Sequence, residues 1–203
     1  MLRLRRDFGI VLLSVQLGGC AALGLLGPPP PPPTTYDLSA RADVRHAAEI
    51  TARLGVRIPN AIQLFDSERI VIRPQTGLAA YYADAQWTDR LPRLVEARLI
   101  EAFNAAGVRT VTRMTDGLTV DYQLLSEVRD FSVSNAAGDH KARVSLYVQL
   151  VSDKEGRTLT GRDFTATAPV AGGDGDAAAG VAALNDAFSQ VLVSVVRWTL
   201  AKI

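Results

Sequence analysis

The chain has 203 residues, of which 48% are hydrophobic and 21% charged, and its formal net charge is +1. Such a composition is typical of one globular domain and excludes a disordered chain. A net charge near zero does not indicate nucleic-acid binding. The single cysteine excludes a disulfide within the chain. We therefore expect one folded domain with no nucleic-acid partner.

The first 19 residues have the pattern of an export signal. Arg3, Arg5 and Arg6 form a positive n-region, and residues 8–17 form an apolar stretch that is too short to cross a bilayer. The adjacent arginines also resemble a twin-arginine signal, which would mean export in the folded state, although the residues after Phe8 depart from that pattern. Removal of this segment, with its three arginines and one aspartate, leaves a net charge of −1.

Cys20 follows Leu17, Gly18 and Gly19, a sequence that resembles the bacterial lipobox. In that motif a signal peptidase cuts before a cysteine whose sulfur already carries a diacylglyceryl group. A buried structural role is disfavoured, because no packed element can include the two glycines and the six prolines at 28–33. We predict that Cys20 is the lipidated first residue of the mature protein, attached to a membrane by its acyl chains.

The residues after Cys20 indicate where the protein is anchored and how far its domain stands from the lipid. Residue 21 is Ala and not Asp, which by resemblance to the sorting rule of Gram-negative lipoproteins favours the periplasmic face of the outer membrane. Six prolines predict a polyproline II spacer of roughly 19 Å, although a ligand for a proline-recognition domain is the alternative. The predicted organisation is a signal at 1–19, anchor and spacer at 20–34, and one domain at 35–203.

Strand patterns fill most of the mature chain. Period-two apolar residues predict strands around Val56 and Ile58 and around Ile70 and Ile72, and Gly77 is expected to join the latter to a strand at 78–82. Further extended segments are predicted at 108–112, 118–133, 144–150 and 158–167. The last three read as an antiparallel meander with turns at 135–139 and at Gly156.

Two long amphipathic helices complete the predicted elements. The first begins near Thr88 or Asp89 and ends at Gly107. The second begins near Asp176, and the polar residues along its Val-rich run argue against a membrane segment. We predict an α+β fold, with a largely antiparallel mixed sheet and the two helices packed on one face.

No catalytic or metal-binding motif is present in the sequence. The two histidines, His46 and His140, are expected in solvated loops, and no nucleophile elbow or paired Cys/His spacing occurs. The glycine-rich stretch 172–176 resembles part of a calcium-binding repeat but occurs once, which favours a flexible loop. We expect no enzyme activity, no cofactor and no metal.

A family resemblance is carried by residues 34–203. Its motifs are a Y-x-L after the anchor, an acidic-Arg-Ile strand, a Tyr-Tyr strand and a tryptophan that opens a long helix, and the matching residues are Tyr36, Leu38, Glu68, Arg69, Ile70, Tyr81, Tyr82 and Trp87. The stretches ending in Phe131 and Phe164 fit its later part. The chain thus resembles the ABC-type transport auxiliary lipoproteins, of the paraquat-inducible protein C type.

The resemblance implies a non-enzymatic, outer-membrane-anchored periplasmic subunit of a lipid transport system that spans the envelope. Its partner would be a protein with a mammalian-cell-entry (MCE) domain, and its energy would come from an ATPase elsewhere. Adjacent strand residues point to opposite faces, so Tyr81, Tyr82 and Trp87 are the interface candidates, although some of them are expected to fill the core. Homo-oligomerisation stays open. The alternative is a structural lipoprotein that assists outer-membrane protein or lipopolysaccharide assembly.

Overall fold

Nine strands and two helices make up the part of the chain that the computed structural model describes, which is residues 31–44, 50–136, 139–172 and 176–203. The strands are β1 (Thr34–Tyr36), β2 (Ile50–Val56), β3 (Asn60–Ala61), β4 (Arg69–Gln75), β5 (Leu78–Trp87), β6 (Val108–Arg113), β7 (Tyr122–Ala136), β8 (Asp139–Ser152) and β9 (Arg157–Pro169). The helices are α1 (Leu91–Ala105) and α2 (Ala177–Leu200), and a 3₁₀ turn spans Met114–Asp116.

The sheet is organised around the long strand β7. On one side β7 pairs in antiparallel fashion with β8, which pairs with β9. On the other side three shorter strands, β2, β3 and β4, pair in parallel with successive parts of β7. Strand β6 extends the sheet beyond β2, while β5 and then β1 extend it beyond β4. The sheet is therefore mixed, with more parallel pairing than the sequence patterns suggested.

Both predicted antiparallel units are present. The meander of β7, β8 and β9 is confirmed, and so is the hairpin of β4 and β5. Gly77 and Gly156 occupy the turns with φ of 79° and 61°, a left-handed conformation that glycine adopts without a steric penalty. The turn between β7 and β8 includes residues outside the described part of the chain.

Alternate residues of β7 and β8 point to the core, with one irregularity in β7. Residues Ala142, Val144, Leu146, Val148 and Leu150 of β8 are all fully buried. Their partners on β7 include Leu124 and Val128 before an irregularity in the register, and Phe131 and Val133 after it. The irregularity leaves Arg129 without a register partner on β8, as in a β-bulge, and returns apolar residues to the core face at Phe131 and Val133.

Helix α2 lies against β7, β8 and β9, whereas α1 lies against β6 and β2 and also touches α2. The predicted start of α2 is confirmed, since the carboxylate of Asp176 accepts a hydrogen bond of 2.9 Å from the Ala178 N–H. Helix α1 begins at Leu91 and lacks a side-chain cap, so the predicted cap at Thr88 or Asp89 is wrong. Gly107 follows the end of α1 with φ of 91°, as predicted for a glycine at a helix terminus.

The N-terminal segment of the domain is held by both the sheet and α2. β1 pairs in parallel with the end of β5, and Leu38 just after it is fully buried. Beyond Leu38, the Ser39 N–H donates to Asn185 Oδ1 at 2.9 Å and the Arg41 N–H donates to Ser189 Oγ at 3.2 Å. These contacts tie the beginning of the domain to its last helix.

Three residues lie elsewhere than the sequence patterns indicated. Trp87 ends β5 and does not open α1. Ile58 lies beyond the end of β2 with 44% of its surface exposed, and His140 belongs to β8 and not to a loop. Helix α2 is long and apolar enough to span a membrane by composition, but 56% of that window is buried inside the domain, as in a core helix.

Candidate functional site

Trp87 and Tyr82, two of the three predicted interface residues, belong to the core. Trp87 is 1% exposed and meets the Phe131 ring edge-on at 6.0 Å between centroids. Tyr82 is 8% exposed. Side chains buried to this extent are not available to a partner on the surface of this fold, so Tyr81 is the candidate that remains.

The Tyr82 hydroxyl lies directly against α2. A Cβ atom placed on Gly180 would lie 2.5 Å from this hydroxyl, well inside van der Waals contact, so the glycine makes room for the tyrosine. Burial raises the pKa of Tyr82, and the negative charges of Asp176 and Asp84 add to that shift. Tyr82 therefore locks β5 to α2 as a neutral phenol.

Tyr81 points to the opposite, outer face of the sheet, as the alternation of strand residues requires. It is partly exposed, and the Arg69 guanidinium lies 3.6 Å from the centre of its ring. Across the sheet Tyr81 is in register with Val71, Val71 with Ser132, and Ser132 with Arg143. A row of side chains thus crosses β5, β4, β7 and β8 on this face.

Two further arginines carry positive charge on the same face: Arg143 ends this row, and Arg73 lies two residues along β4 from Val71. Arg73 donates from Nε to Ser132 Oγ at 3.0 Å and lies 3.7 Å from Asp130, and Arg143 lies 3.7 Å from the same carboxylate. We call Tyr81, Arg69, Arg73 and Arg143 the Tyr81 surface. One carboxylate shared by two of three arginines leaves this surface positively charged, and tyrosine with arginine is the combination enriched at protein interfaces.

A separate cavity of about 330 Å³ lies between α1 and the first half of β7. Its lining includes Glu96 of α1, Ser126 of β7, Met114 and Thr115 of the 3₁₀ turn, and Arg57 of the β2–β3 loop. The 3₁₀ turn is fixed by Asp116, whose Oδ2 accepts from the Thr112 hydroxyl at 2.9 Å and from the Arg113 N–H at 3.2 Å.

Glu96 is a buried acid on the wall of this cavity. It is 4% exposed, and its Oε2 lies 3.4 Å from Arg113 Nε, while its buried Oε1 has no hydrogen-bond partner among the described residues. Burial raises the pKa of Glu96 despite the opposing effect of Arg113. The fold therefore compensates this carboxylate only in part.

Sequence reasoning missed Glu96 and Ser126, but both interrupt an apolar pattern. Ser126 takes a core-face position of β7 between Leu124 and Val128, and Glu96 directly follows Val95 on the buried side of α1. A polar residue inside an apolar stripe is the signal that marks such positions. The sequence alone did not reveal that the two interruptions meet at one cavity.

The remaining sequence predictions fall partly outside the structure. Cys20 and His46 lie outside the described residues, as do residues 173–175 of the glycine-rich stretch. His140 is partly buried in β8 and its carbonyl accepts a hydrogen bond from the Val170 N–H. Within the described ranges no three His, Cys, Asp or Glu side chains gather into a group that would hold a metal ion.

The same fold occurs in solved structures. A crystal structure of protein XCC0632 from Xanthomonas campestris, of family DUF330, matches with a TM-score of 0.75 and 29% identity, over 83% of this chain and 95% of that chain. The crystal structure of another uncharacterized protein matches with a TM-score of 0.65 and 14% identity, over 83% and 99% of the two chains. At that low identity the second match shows the fold alone.

Sequence comparison gives the family. The family model of the ABC-type transport auxiliary lipoprotein component matches residues 36–196, so the chain belongs to this family and the predicted resemblance is confirmed. The uncharacterized protein bll6063 of Bradyrhizobium diazoefficiens is 30% identical over 168 residues, which cover 82% of this chain. The matched region spans 44% of the length of that relative.

Proposed function

We propose that this chain is an outer-membrane-anchored periplasmic lipoprotein that acts as the auxiliary subunit of an ABC/MCE-type lipid transport system. The observation that carries the proposal is the family match over residues 36–196, which makes the chain an auxiliary lipoprotein of a transporter. The anchor at Cys20 and the Ala at position 21 support the outer membrane as its location. The lipid cargo and the MCE partner come from the resemblance stated above.

The chain's own contribution is a binding surface and not a chemical step. Among the described residues the one carboxylic acid with a raised pKa, Glu96, lies in a cavity without a histidine. The Tyr81 surface instead offers an aromatic ring beneath a guanidinium, together with two further cations. We propose that it contacts an acidic or aromatic patch of the MCE-domain protein.

The proline spacer gives the domain the reach that such a contact requires. In the predicted polyproline II conformation six prolines would extend roughly 19 Å at about 3.1 Å per residue, and we propose that this spacer holds the domain away from the headgroups of its own membrane. A partner that approaches across the periplasm then meets the folded domain before it meets the lipid surface. Shortening the spacer should reduce transport without changing the stability of the domain.

The experiment is a pull-down of the tagged lipoprotein from detergent-solubilised membranes, with the MCE-domain protein detected by mass spectrometry. Tyr81→Ala should weaken capture by about tenfold or more, since an interface aromatic contributes on the order of 1 to 4 kcal/mol. Tyr147→Ala is the matched control, because Tyr147 also lies beneath an arginine, with Arg129 Cζ 4.4 Å from the centre of its ring.

Three results would contradict this proposal. One is the absence of any MCE-domain protein from the wild-type capture. Another is recovery of outer-membrane assembly proteins in its place, which would favour the assembly role. An equal loss for Tyr81→Ala and Tyr147→Ala would show that capture depends on general stability and not on the Tyr81 surface.

A further inference from the structure

The residues that line the cavity between α1 and β7 include an acid, Glu96, a hydroxyl residue, Ser126, and a cationic residue, Arg57. Glu96 Oε1 and Ser126 Oγ are both buried, and neither has a hydrogen-bond partner among the described residues. Two such atoms on residues that line a single cavity are unusual, because a buried polar group without a partner is costly, and more so when it is charged. A ligand that donates hydrogen bonds to both would remove that cost.

The chemistry of these two atoms indicates which hydrogen-bond donor group a ligand would need. A carboxylate only accepts hydrogen bonds, and a hydroxyl accepts readily, so the matching group is a donor with several N–H bonds and a positive charge. A primary ammonium has three donors and compensates the charge of Glu96 as well. A guanidinium is less suited, because Arg113 Nε already occupies Oε2 of the same carboxylate at 3.4 Å.

The opposite charge at the cavity is that of Arg57. Its backbone is held beside β7 by a hydrogen bond of 3.1 Å from the Arg57 N–H to the Leu124 carbonyl, and Arg57 is among the residues that line the same cavity as Glu96. The volume of about 330 Å³ falls at the lower end of the range of small-molecule sites, which is about 300 to 1,000 Å³. The cavity therefore offers both poles that a small zwitterion needs.

We propose that this cavity binds a zwitterionic ligand whose primary ammonium hydrogen-bonds to Glu96 Oε1 and Ser126 Oγ and whose anionic group pairs with Arg57. The site is separate from the Tyr81 surface. Choosing a phosphodiester as the anion rests on the proposed lipid transport function, whereas the ammonium follows from the cavity itself. An aminoalkyl phosphodiester occurs both as a free compound and as a lipid headgroup, and the two sources are distinguished below.

Entry to the site requires a small rearrangement of its lining. Both acceptor atoms are covered in this conformation, so the proposed ligand would reach them only after the side chains of Glu96 and Met114 rotate. Met114 suits this role, because it is unbranched and adapts easily, and its sulfur rests on Gly55, where a Cβ would come within 2.2 Å of it. The exposed Ile58 gives the mouth of the cavity an apolar surface.

The test is isothermal titration calorimetry of the purified full-length lipoprotein in maltoside micelles with glycerophosphoethanolamine. Two probes of similar size test which part of the ammonium group is needed. Glycerophosphocholine keeps both charges but lacks N–H donors, and glycerophosphoglycerol lacks the cation. We expect saturable binding of the ethanolamine compound, with each of the other two weaker by about tenfold or more.

Variants then assign the residues. Glu96→Gln and Ser126→Ala should each weaken the ethanolamine compound by about tenfold while leaving glycerophosphoglycerol unchanged, and Arg57→Gln should weaken both compounds. Glu101→Gln is the matched control, since Glu101 lies on α1 outside this cavity with a side chain that is 57% exposed. Thermal unfolding of each variant verifies that it is folded, and Glu96→Gln preserves the shape of the side chain.

A short-chain lipid separates the two sources of the ligand. Dihexanoyl phosphatidylethanolamine below its micelle concentration should bind more tightly than the glycerol ester if a lipid headgroup is the natural ligand, and equally if a free compound is. Absence of saturable binding at millimolar glycerophosphoethanolamine overturns the proposal, as does binding that is unchanged in Glu96→Gln. Neither result depends on capture of an MCE-domain protein, so this inference and the proposed function can fail separately.

Discussion

Gly180 of α2 leaves room for the Tyr82 hydroxyl of β5, which would lie 2.5 Å from a Cβ at that position. We expect Gly180→Ala to destabilise the domain by about 1 to 3 kcal/mol through overpacking, although alanine favours helix by about 1 kcal/mol over glycine. In a Tyr82→Phe background the hydroxyl that lies 2.5 Å from the new Cβ is gone. The cost of Gly180→Ala should therefore shrink there, as measured by urea unfolding. An equal cost in both backgrounds would show that the hydroxyl is not the source of the strain.

Arg53 and Asp121 join β2 to the residue just before β7. Asp121 accepts from Arg53 at three points, with Oδ2 2.8 Å from the backbone N and 3.2 Å from Nε, and Oδ1 2.9 Å from a terminal guanidinium nitrogen. The side-chain hydrogen bond from Arg53, followed by the backbone one, lowers the pKa of Asp121 to about 2. Such a depressed pKa means that the folded state favours the charged carboxylate.

The sign of the resulting pH dependence follows from linkage. The stabilisation is fully present above the ordinary aspartate pKa of about 3.9 and is lost as the pH falls through about 2. We expect Asp121→Asn to lower the unfolding midpoint at pH 7 and to differ little from wild type near pH 2. Glu155→Gln, which removes an exposed pair with Arg157, should change little at either pH. A constant difference across the pH range would contradict the assignment.

At the scale of elements, α1 depends on an apolar stripe. Leu99 is fully buried in the middle of that stripe. Leu99→Ala should cost about 2 to 5 kcal/mol, because it removes buried surface and leaves a cavity. Leu118→Ala is the control, since Leu118 is 59% exposed and its removal should cost less than about 0.5 kcal/mol. Thermal unfolding of the two variants side by side decides whether the stripe has the phase assigned to it.

The alternating strands and the helices were predictable because their patterns are local. Alternation in β7 and β8, the turn glycines Gly77 and Gly156, and Asp176 as a helix cap all lie within a few residues of the structure they specify. The parallel pairing of β2, β3 and β4 along β7 was not predictable in this way. It depends on which strands meet across long stretches of chain, and no local residue pattern records that choice.

Trp87 shows why the site was harder to predict than the elements. Its position just before a helical stripe made it look like the opening of a helix, yet the strand continues to Trp87 and its ring packs on Phe131. The choice between core and surface for adjacent aromatics depends on which face of the sheet the helices cover. Tyr81 and Tyr82 were correctly expected to point to opposite faces, but only the structure shows that Tyr81 is the outer one.

At the scale of the whole molecule, the proposed membrane location rests on a single residue, Cys20. Cys20→Ser should abolish acylation and membrane retention, as measured by palmitate labelling and fractionation, because the chain has no other cysteine. Ala21→Asp should keep the label and shift the protein from the outer to the inner membrane. Unchanged labelling and location in Cys20→Ser would overturn the lipid anchor.

The short strand β1 also decides how the domain responds to mechanical load. If the chain is anchored at Cys20 and held by a partner, as proposed, tension along the chain would enter the domain at Pro33. It would act first on the three residues of β1, then on the buried Leu38, and then on the hydrogen bonds to Asn185 and Ser189 of α2. These contacts would break one after another before the rest of the domain unfolds. Separation of β1 from β5 would lengthen the tether by a few residues while the sheet around β7 stays intact. Single-molecule pulling from the N-terminus should therefore show a small early extension before the main unfolding event.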